Sequence, residues 1–248
     1  MKLLILSDCH ANLDSLNAVW SRENDCDYII FAGDMIDFGF HPRETVHWFM
    51  ERKDRLFAVR GNHDEEILAH RYDPVSHVTP PGNFQELTYQ QMTEEEYDFL
   101  QALPHERCFT LGDTDFYLCH TADELTPDGE VCYAEQRLAD HSARAFLLER
   151  FASKFPGACA PKKCMVYGHS HLQWAASAGP NNMILNPGSL SYHFGSFEPV
   201  RCADYIVLED GAVFLKHMDF DTQHLYNRAG SFSDPEAARL ARAFFRRE

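Results

Sequence analysis

The sequence predicts an α/β protein, and three features of its 248 residues carry that expectation. The first 60 residues alternate short apolar runs with amphipathic stretches, a strand–helix order that builds a parallel sheet. Five polar blocks each follow such a run: Asp8-Cys9-His10, Gly33-Asp34, Gly61-Asn62-His63-Asp64, His120 and Gly168-His169-Ser170-His171. Turn signals between later apolar runs add antiparallel pairs, so the sheets are expected to be mixed.

Residues 2–7 read as a strand and Leu13–Glu23 as a helix with Asn12 or Asp14 as N-cap. Tyr28–Ala32 is the next strand, Pro42–Lys53 a helix with proline in its first turn, and Leu56–Arg60 a third strand. Right-handed crossovers connect strands in this order. Asp64–Ala69 continues as a helix, and 73–83 reads as a loop because Pro74, Pro80, Pro81 and Gly82 break regular structure. Thr93–Leu103 is helical, opened by a Thr93/Glu96 capping box. The chain reads as a single domain, 1–248, with an inserted helical cap at approximately 64–104 beside the site.

Strands near 107–111 and 115–119 flank Gly112-Asp113-Thr114, and Arg137–Phe155 is a helix. Cys164–Tyr167, Gln173–Ala178 and Met183–Leu185 are strands, and Tyr205–Leu208 and Ala212–His217 flank an Asp210-Gly211 hairpin signal. Pro235–Arg247 closes as a helix expected along one edge.

Composition narrows the function. Hydrophobic content of 45% and charged content of 24% suit a globular protein with a full core. The formal charge of −16 disfavours nucleic acid, whose phosphate backbone is held by Lys/Arg neutralisation. It leaves a small phosphoester open as substrate, because bound cations invert the local field. No membrane partner is expected: the apolar run at Met1–Leu6 stops at Ser7-Asp8, and no run of about 18 apolar residues occurs. Eight cysteines without a Cys-x-x-Cys spacing fit a reduced, cytoplasmic setting. Cys9 stands between Asp8 and His10, and alternation turns its thiol away from them.

The polar blocks share one logic. Strand ends of an open sheet converge on a crevice, so these carboxylate, amide and imidazole groups are expected to meet there. A lone strand-end His such as His120 is ordinarily a satisfied polar group. His169 and His171, two apart on an extended segment, face the same way. The joint occurrence of all five blocks favours a two-metal hydrolytic centre. Mixed His, Asp and Asn donors suit Mn, Fe, Zn, Ni or Co better than Ca, which prefers oxygen cages. The histidines at 41, 47, 70, 77, 105, 141, 217 and 224 lack such context and are expected at the surface.

In order and spacing, the blocks resemble the calcineurin-like metallophosphoesterases, a resemblance that runs over nearly the whole chain. Asp34-Met-Ile-Asp-Phe-Gly39, Pro42-Arg-Glu, Val59-Arg-Gly-Asn-His-Asp64 and Asn186-Pro-Gly-Ser189 resemble the small prokaryotic branch of predicted phosphodiesterases. The resemblance implies a four-layer αββα sandwich, two mixed sheets flanked by helices. It implies a two-metal-dependent phosphoester hydrolase, a phosphodiesterase before a phosphomonoesterase or a protein or nucleotide phosphatase, with a metal-bridging hydroxide as nucleophile. A non-catalytic scaffold would be expected to lack His63 or a ligand.

By the same resemblance Asp8, His10, Asp34 and His171 hold one metal, with Asp34 bridging to a second held also by Asn62, His120 and His169. His63 contacts substrate with Asn62 and stabilises the transition state or protonates the leaving oxygen. Asp64 orients His63 or, the safer reading, caps the following helix. Glycines at 33, 61 and 168 are expected to permit turns beside the ligands. Three positions depart from the family pattern: Ala11 replaces a glycine, Phe40 a proline, and Leu190-Ser-Tyr-His-Phe194 an arginine-bearing segment. His193 is a candidate replacement for the missing phosphate-binding cation, and Arg201 is another.

Overall fold

The computed structural model describes residues 1–76, 83–121, 124–125, 131–132, 141–155, 160–192 and 202–245. Two five-stranded sheets dominate it. The first holds β1 (Lys2–Leu6), β2 (Tyr28–Phe31), β3 (Leu56–Ala58), β11 (Cys202–Glu209) and β12 (Ala212–Asp219), in the order β12-β11-β1-β2-β3. The second holds β4 (Glu106–Leu111), β5 (Thr114–Cys119), β8 (Lys162–Val166), β9 (Gln173–Ser177) and β10 (Asn182–Pro187), in the order β4-β5-β8-β10-β9. A two-stranded ribbon, β6 (Glu124–Leu125) and β7 (Val131–Cys132), stands apart. Each large sheet has a parallel trio extended by two further strands through antiparallel pairing: β1, β2 and β3 with β11 and β12 in one, β5, β8 and β10 with β4 and β9 in the other.

Strand alternation sorts the core into layers. Leu3 and Ile5 face the second sheet, where they meet Phe116, Leu118, Cys164, Val166 and Leu185. Leu4 and Leu6 face the opposite way, into a helical layer. That layer comprises α1 (Leu13–Glu23), α2 (Pro42–Met50), α3 (Asn62–Ala69), α4 (Asn83–Gln91), α5 (Glu94–Ala102), α7 (Gln223–Ala229) and α8 (Pro235–Phe245). On the outer face of the second sheet, Tyr117, Met165, Tyr167 and Ile184 pack against Phe151 and Phe155 at the end of α6 (His141–Lys154). Helix, sheet, sheet, helix is the four-layer sandwich expected.

Most expected elements occur with ends shifted by a few residues. Asn12, not Asp14, caps α1: its Oδ1 accepts Ser15 N–H at 3.2 Å. The second helix ends at Met50, with a 3₁₀ turn at Lys53–Arg55 before β3. Two helices went unread in the sequence, α4 and α7. Both are short, and α4 directly follows a Pro-rich stretch, so neither offered a long apolar period. The final helix packs into the helical layer. Ala241 and Phe245 enter the helical layer, where Phe245, Phe84 and Phe232 surround Phe40 at ring separations of 5.6, 5.1 and 5.7 Å. Phe40 therefore gives the C-terminal helix an anchor.

Among the described cysteines, Cys9, Cys26, Cys108, Cys119 and Cys164 are free thiols. No described helix is long and apolar enough to cross a membrane.

Ile5 is fully buried between the sheets. Ile5→Ala is expected to cost about 2–5 kcal/mol, read in urea as a lower midpoint at unchanged slope.

Candidate metal centre

All eight described candidates meet at one end of the sandwich. Asp8 and His10 follow β1, Asp34 follows β2, Asn62 and His63 open α3 after β3, His120 follows β5, and His169 and His171 follow β8. The tips of both sheets thus face one crevice. His193 and Arg201 lie outside the described residues.

The backbone at these tips is left-handed. Asp8, His10, Ala11, Asp34, Asp37, Phe38, His169 and His171 all have φ between 47° and 71°. Such values turn a strand end sharply and swing the side chains into the crevice. Cross-strand hydrogen bonds hold the strained turns: Asp8 N–H to Gly33 O at 2.9 Å, His10 N–H to Asp34 O at 3.1 Å, and Ala11 N–H to Met35 O at 2.9 Å.

Two donor groups result. In the first, His171 Nε2 lies 3.1 Å from Asp8 Oδ1 and 3.2 Å from His10 Nε2. In the second, Asn62 Oδ1 lies 3.0 Å from both His120 Nε2 and His169 Nδ1, and Asp34 Oδ2 lies 3.1 Å from His120 Nε2. The same Asp34 oxygen is 3.8 Å from His10 Nε2, so this carboxylate stands between the groups. Asp8, His10 and His171 have ligand atoms all within 4.8 Å of one another, as do Asp34, His120 and His169.

The chemistry of these donors suits cations. Carbonyls only accept, so His120 donates its Nδ1–H to Ala32 O and His171 its Nδ1–H to Tyr192 O. Each ring then turns the Nε2 lone pair inward, against carboxylate, amide or imidazole donors. Asp8 Oδ1, although buried, receives no hydrogen bond. Lone pairs crowded this closely repel unless a positive charge sits among them. In the metal-free site a proton takes that place. Burial acts to lower the His120 pKa, but the charge and hydrogen bond of Asp34 outweigh it and raise the group to about 10. Asp34 responds in the opposite sense: burial would raise it, and His120 holds it below the usual carboxylate range. His10 is pushed well below its ordinary value by burial and stays neutral.

Two glycines make room for these groups. Gly61 has φ −99°, which any residue adopts, yet a Cβ there would fall 2.0 Å from Asp34 Oδ1. A Cβ at Gly168 would fall 1.9 Å from Ser7 Oγ and 2.7 Å from Asp8 Oδ2. The expectation that both glycines permit turns is corrected to one of space; only Gly33, at φ +94°, serves a left-handed turn.

His63 stands beside the donors, its ring centroid 5.0 Å from that of His10. Its N–H donates to Asp34 Oδ1 at 2.9 Å, and its Nδ1–H to Asp37 Oδ2 at 2.9 Å. Asp37 is a site residue that the sequence reading missed. Its only signal was its place in the Asp34–Gly39 block, and nothing in the spacing shows that it reaches His63. Burial acts to lower the His63 pKa, but Asp37 and the charge of Asp34 raise it to about 9. Asp64 turns away: it accepts Met35 N–H at 2.9 Å, Ile36 N–H at 3.2 Å and Gly61 N–H at 2.9 Å. It therefore caps α3 and ties down the loop after β2. Cys9 is buried with its thiol 3.8 Å from Asn12 O, and burial pushes its pKa up, away from metal-binding thiolate.

The model of the calcineurin-like phosphoesterase superfamily domain matches residues 1–206. The chain belongs to that superfamily. A metallophosphoesterase from Sphaerobacter thermophilus superposes with TM-score 0.65 at 23% identity, covering 98% of this chain and 100% of that one. A hypothetical protein from Pyrococcus horikoshii OT3 gives TM-score 0.73 at 13% identity, covering 97% of each. An uncharacterized protein of Methanocaldococcus jannaschii is 30% identical over 105 residues, 41% of this chain. That match spans 42% of the curated relative's own length.

In metal-free protein, His63 is expected to hold its proton through neutral pH and lose it near 9. Asp37→Asn removes the carboxylate that favours the charged ring and should lower that titration by at least about one unit. Imidazole chemical shifts followed against pH read both values.

Proposed function

We propose that this protein is a two-metal-dependent phosphoester hydrolase, with phosphodiesters preferred over monoesters. The observation that carries the proposal is the position of Asp34 Oδ2, 3.1 Å from His120 Nε2 and 3.8 Å from His10 Nε2, between two converging donor groups. Superfamily membership supports phosphoester chemistry, and the flanking sequence blocks support the preference for diesters.

In this reading Asp8, His10, His171 and Asp34 hold one divalent ion, and Asp34, Asn62, His120 and His169 hold the other. Bound there, the pair would lower the pKa of water and neutralise charge on a phosphoryl group. The donor mixture suits Mn, Fe, Zn, Ni or Co. His63 faces the substrate with its Nδ1–H held by Asp37, which leaves Nε2 as the atom that would carry a proton to the leaving oxygen. Asn62 contacts the substrate as well as an ion. Both sheets fix these groups before substrate arrives, so little reorganisation is needed at the transition state. The segment 64–104 contributes by holding α3, whose first turn carries Asn62 and His63. The chain acts as one unit in the cytoplasm on a small phosphoester.

Elemental analysis of purified protein with a phosphoester panel at fixed Mn²⁺ tests the proposal. Two ions per chain and turnover of bis-aryl diesters are expected; strong monoesterase activity with none on diesters would reverse the preference. His63→Ala should keep both ions while turnover falls by about 10²–10⁴, the usual worth of a proton-transfer group. Asp34→Asn should lose metal together with activity, and retention of both ions would contradict the bridging role. Gly61→Ala, through the contact of its Cβ with Asp34, should weaken Mn²⁺ binding by about 10–100-fold in calorimetry.

A further inference from the structure

The turn after β10 touches the first donor group at two points that the proposed chemistry does not use. Ser189 is fully buried. Its hydroxyl donates to Asp8 O at 3.0 Å and accepts the N–H groups of Ser191 at 3.0 Å and Tyr192 at 3.2 Å. One donor and two lone pairs are thereby all used. Beside it, Leu190 N–H donates to Ser7 O at 3.2 Å, and Asp204 N–H to Ser189 O at 2.9 Å. The turn so folded presents Tyr192 O to the Nδ1–H of His171.

We propose that Ser189 is a positioning residue for one half of the centre: its hydroxyl locks the Asp8 strand tip to the turn whose Tyr192 carbonyl sets the tautomer of His171. This rests on the two-metal reading. Asp8 and His171 both belong to the first donor group, and the three partners of the Ser189 hydroxyl all lie at that group. The side chains of the second group take their orientation elsewhere, through Ala32 O on His120 and through Asn62 on α3, and only the backbone N–H of His169 reaches the Asp8 tip, at Oδ2 and 3.1 Å. Asn186 makes the contrast. Its Nδ2 donates to Gly168 O and to Ser170 Oγ, both at 3.0 Å, and so holds the loop that carries His169 and His171 together. Asn186 supports both halves, Ser189 one.

Removing the hydroxyl leaves Asp8 O without its donor and two buried amides without their acceptor. The turn then no longer holds Tyr192 O against His171, and the ring is free to take the other tautomer. Groups that orient metal-binding histidines are typically worth about 10–100-fold in affinity. That loss falls on one ion.

Mn²⁺ calorimetry and electron paramagnetic resonance of Ser189→Ala beside the unaltered protein test this. The unaltered protein should take two ions and show an exchange-coupled pair. Ser189→Ala should bind one ion about 10–100-fold more weakly, keep the other, and show an uncoupled signal at intermediate loading. Equal weakening of both ions, or undiminished binding of both, overturns the proposal. Fewer than two ions in the unaltered protein overturns the two-metal reading instead, and this proposal with it. A measurement without any variant guards against a misfolded mutant. Long-range ¹H–¹⁵N spectra of the metal-free unaltered protein should show His171 protonated at Nδ1, and an Nε2–H tautomer refutes the role.

Discussion

The left-handed backbone at the strand tips is the constraint on which the rest of this molecule depends. A β-strand delivers its side chains alternately to two faces, and neither face is the crevice at its end. Turning Asp8, His10, Asp34, His169 and His171 toward a common point requires φ values that L-residues avoid, at roughly 1–2 kcal/mol each. That strain persists because surrounding structure over-determines it. The amides of Asp8, His10 and Ala11 are bound by the tip after β2, and His169 N–H is bound by Asp8 Oδ2 at 3.1 Å, across the two sheets. The two sheets are therefore joined at the site by the same groups that form it.

A second consequence follows for charge. Asp8, His10, Asp34 and His120 are buried, where an isolated ion would be expelled or neutralised. They persist because each carboxylate faces imidazoles, and the rings of His120, His171 and His63 are oriented from behind by a carbonyl or a carboxylate. Ala32 O and Tyr192 O select which nitrogen of His120 and His171 points inward, and Asp37 does the same for His63. The −16 net charge of the chain has little part in this local balance. The shared Asp34, with His120 at 3.1 Å and His10 at 3.8 Å, decides it.

The helical layer serves the site indirectly. Asp64 in α3 accepts three amides from the loops after β2 and β3, so the helix start and the Asp34 loop move together. Phe40, at the far end of the same loop, is gripped by Phe84, Phe232 and Phe245. Phe40 thus connects the Asp34–Phe40 loop to α4 and α8.

Much was legible beforehand. The strand–helix order, the apolar runs and the polar blocks at their ends depend on local periodicity and composition, which a linear chain displays directly. Other features were hidden for identifiable reasons. Asp37 looks like any loop aspartate until α3 brings His63 to it. Gly61 and Gly168 look like turn residues until neighbouring strands show that their missing Cβ leaves space for Asp34 and for Ser7 and Asp8. By itself, then, the sequence determined which groups stand at strand ends and the class of chemistry they suit. Only the tertiary structure decided which oxygen lies between the two groups, which ring nitrogen points inward and which carbonyl orients it. Those are distances between residues more than 160 positions apart in the case of His171 with Asp8 and His10, and no local pattern encodes them.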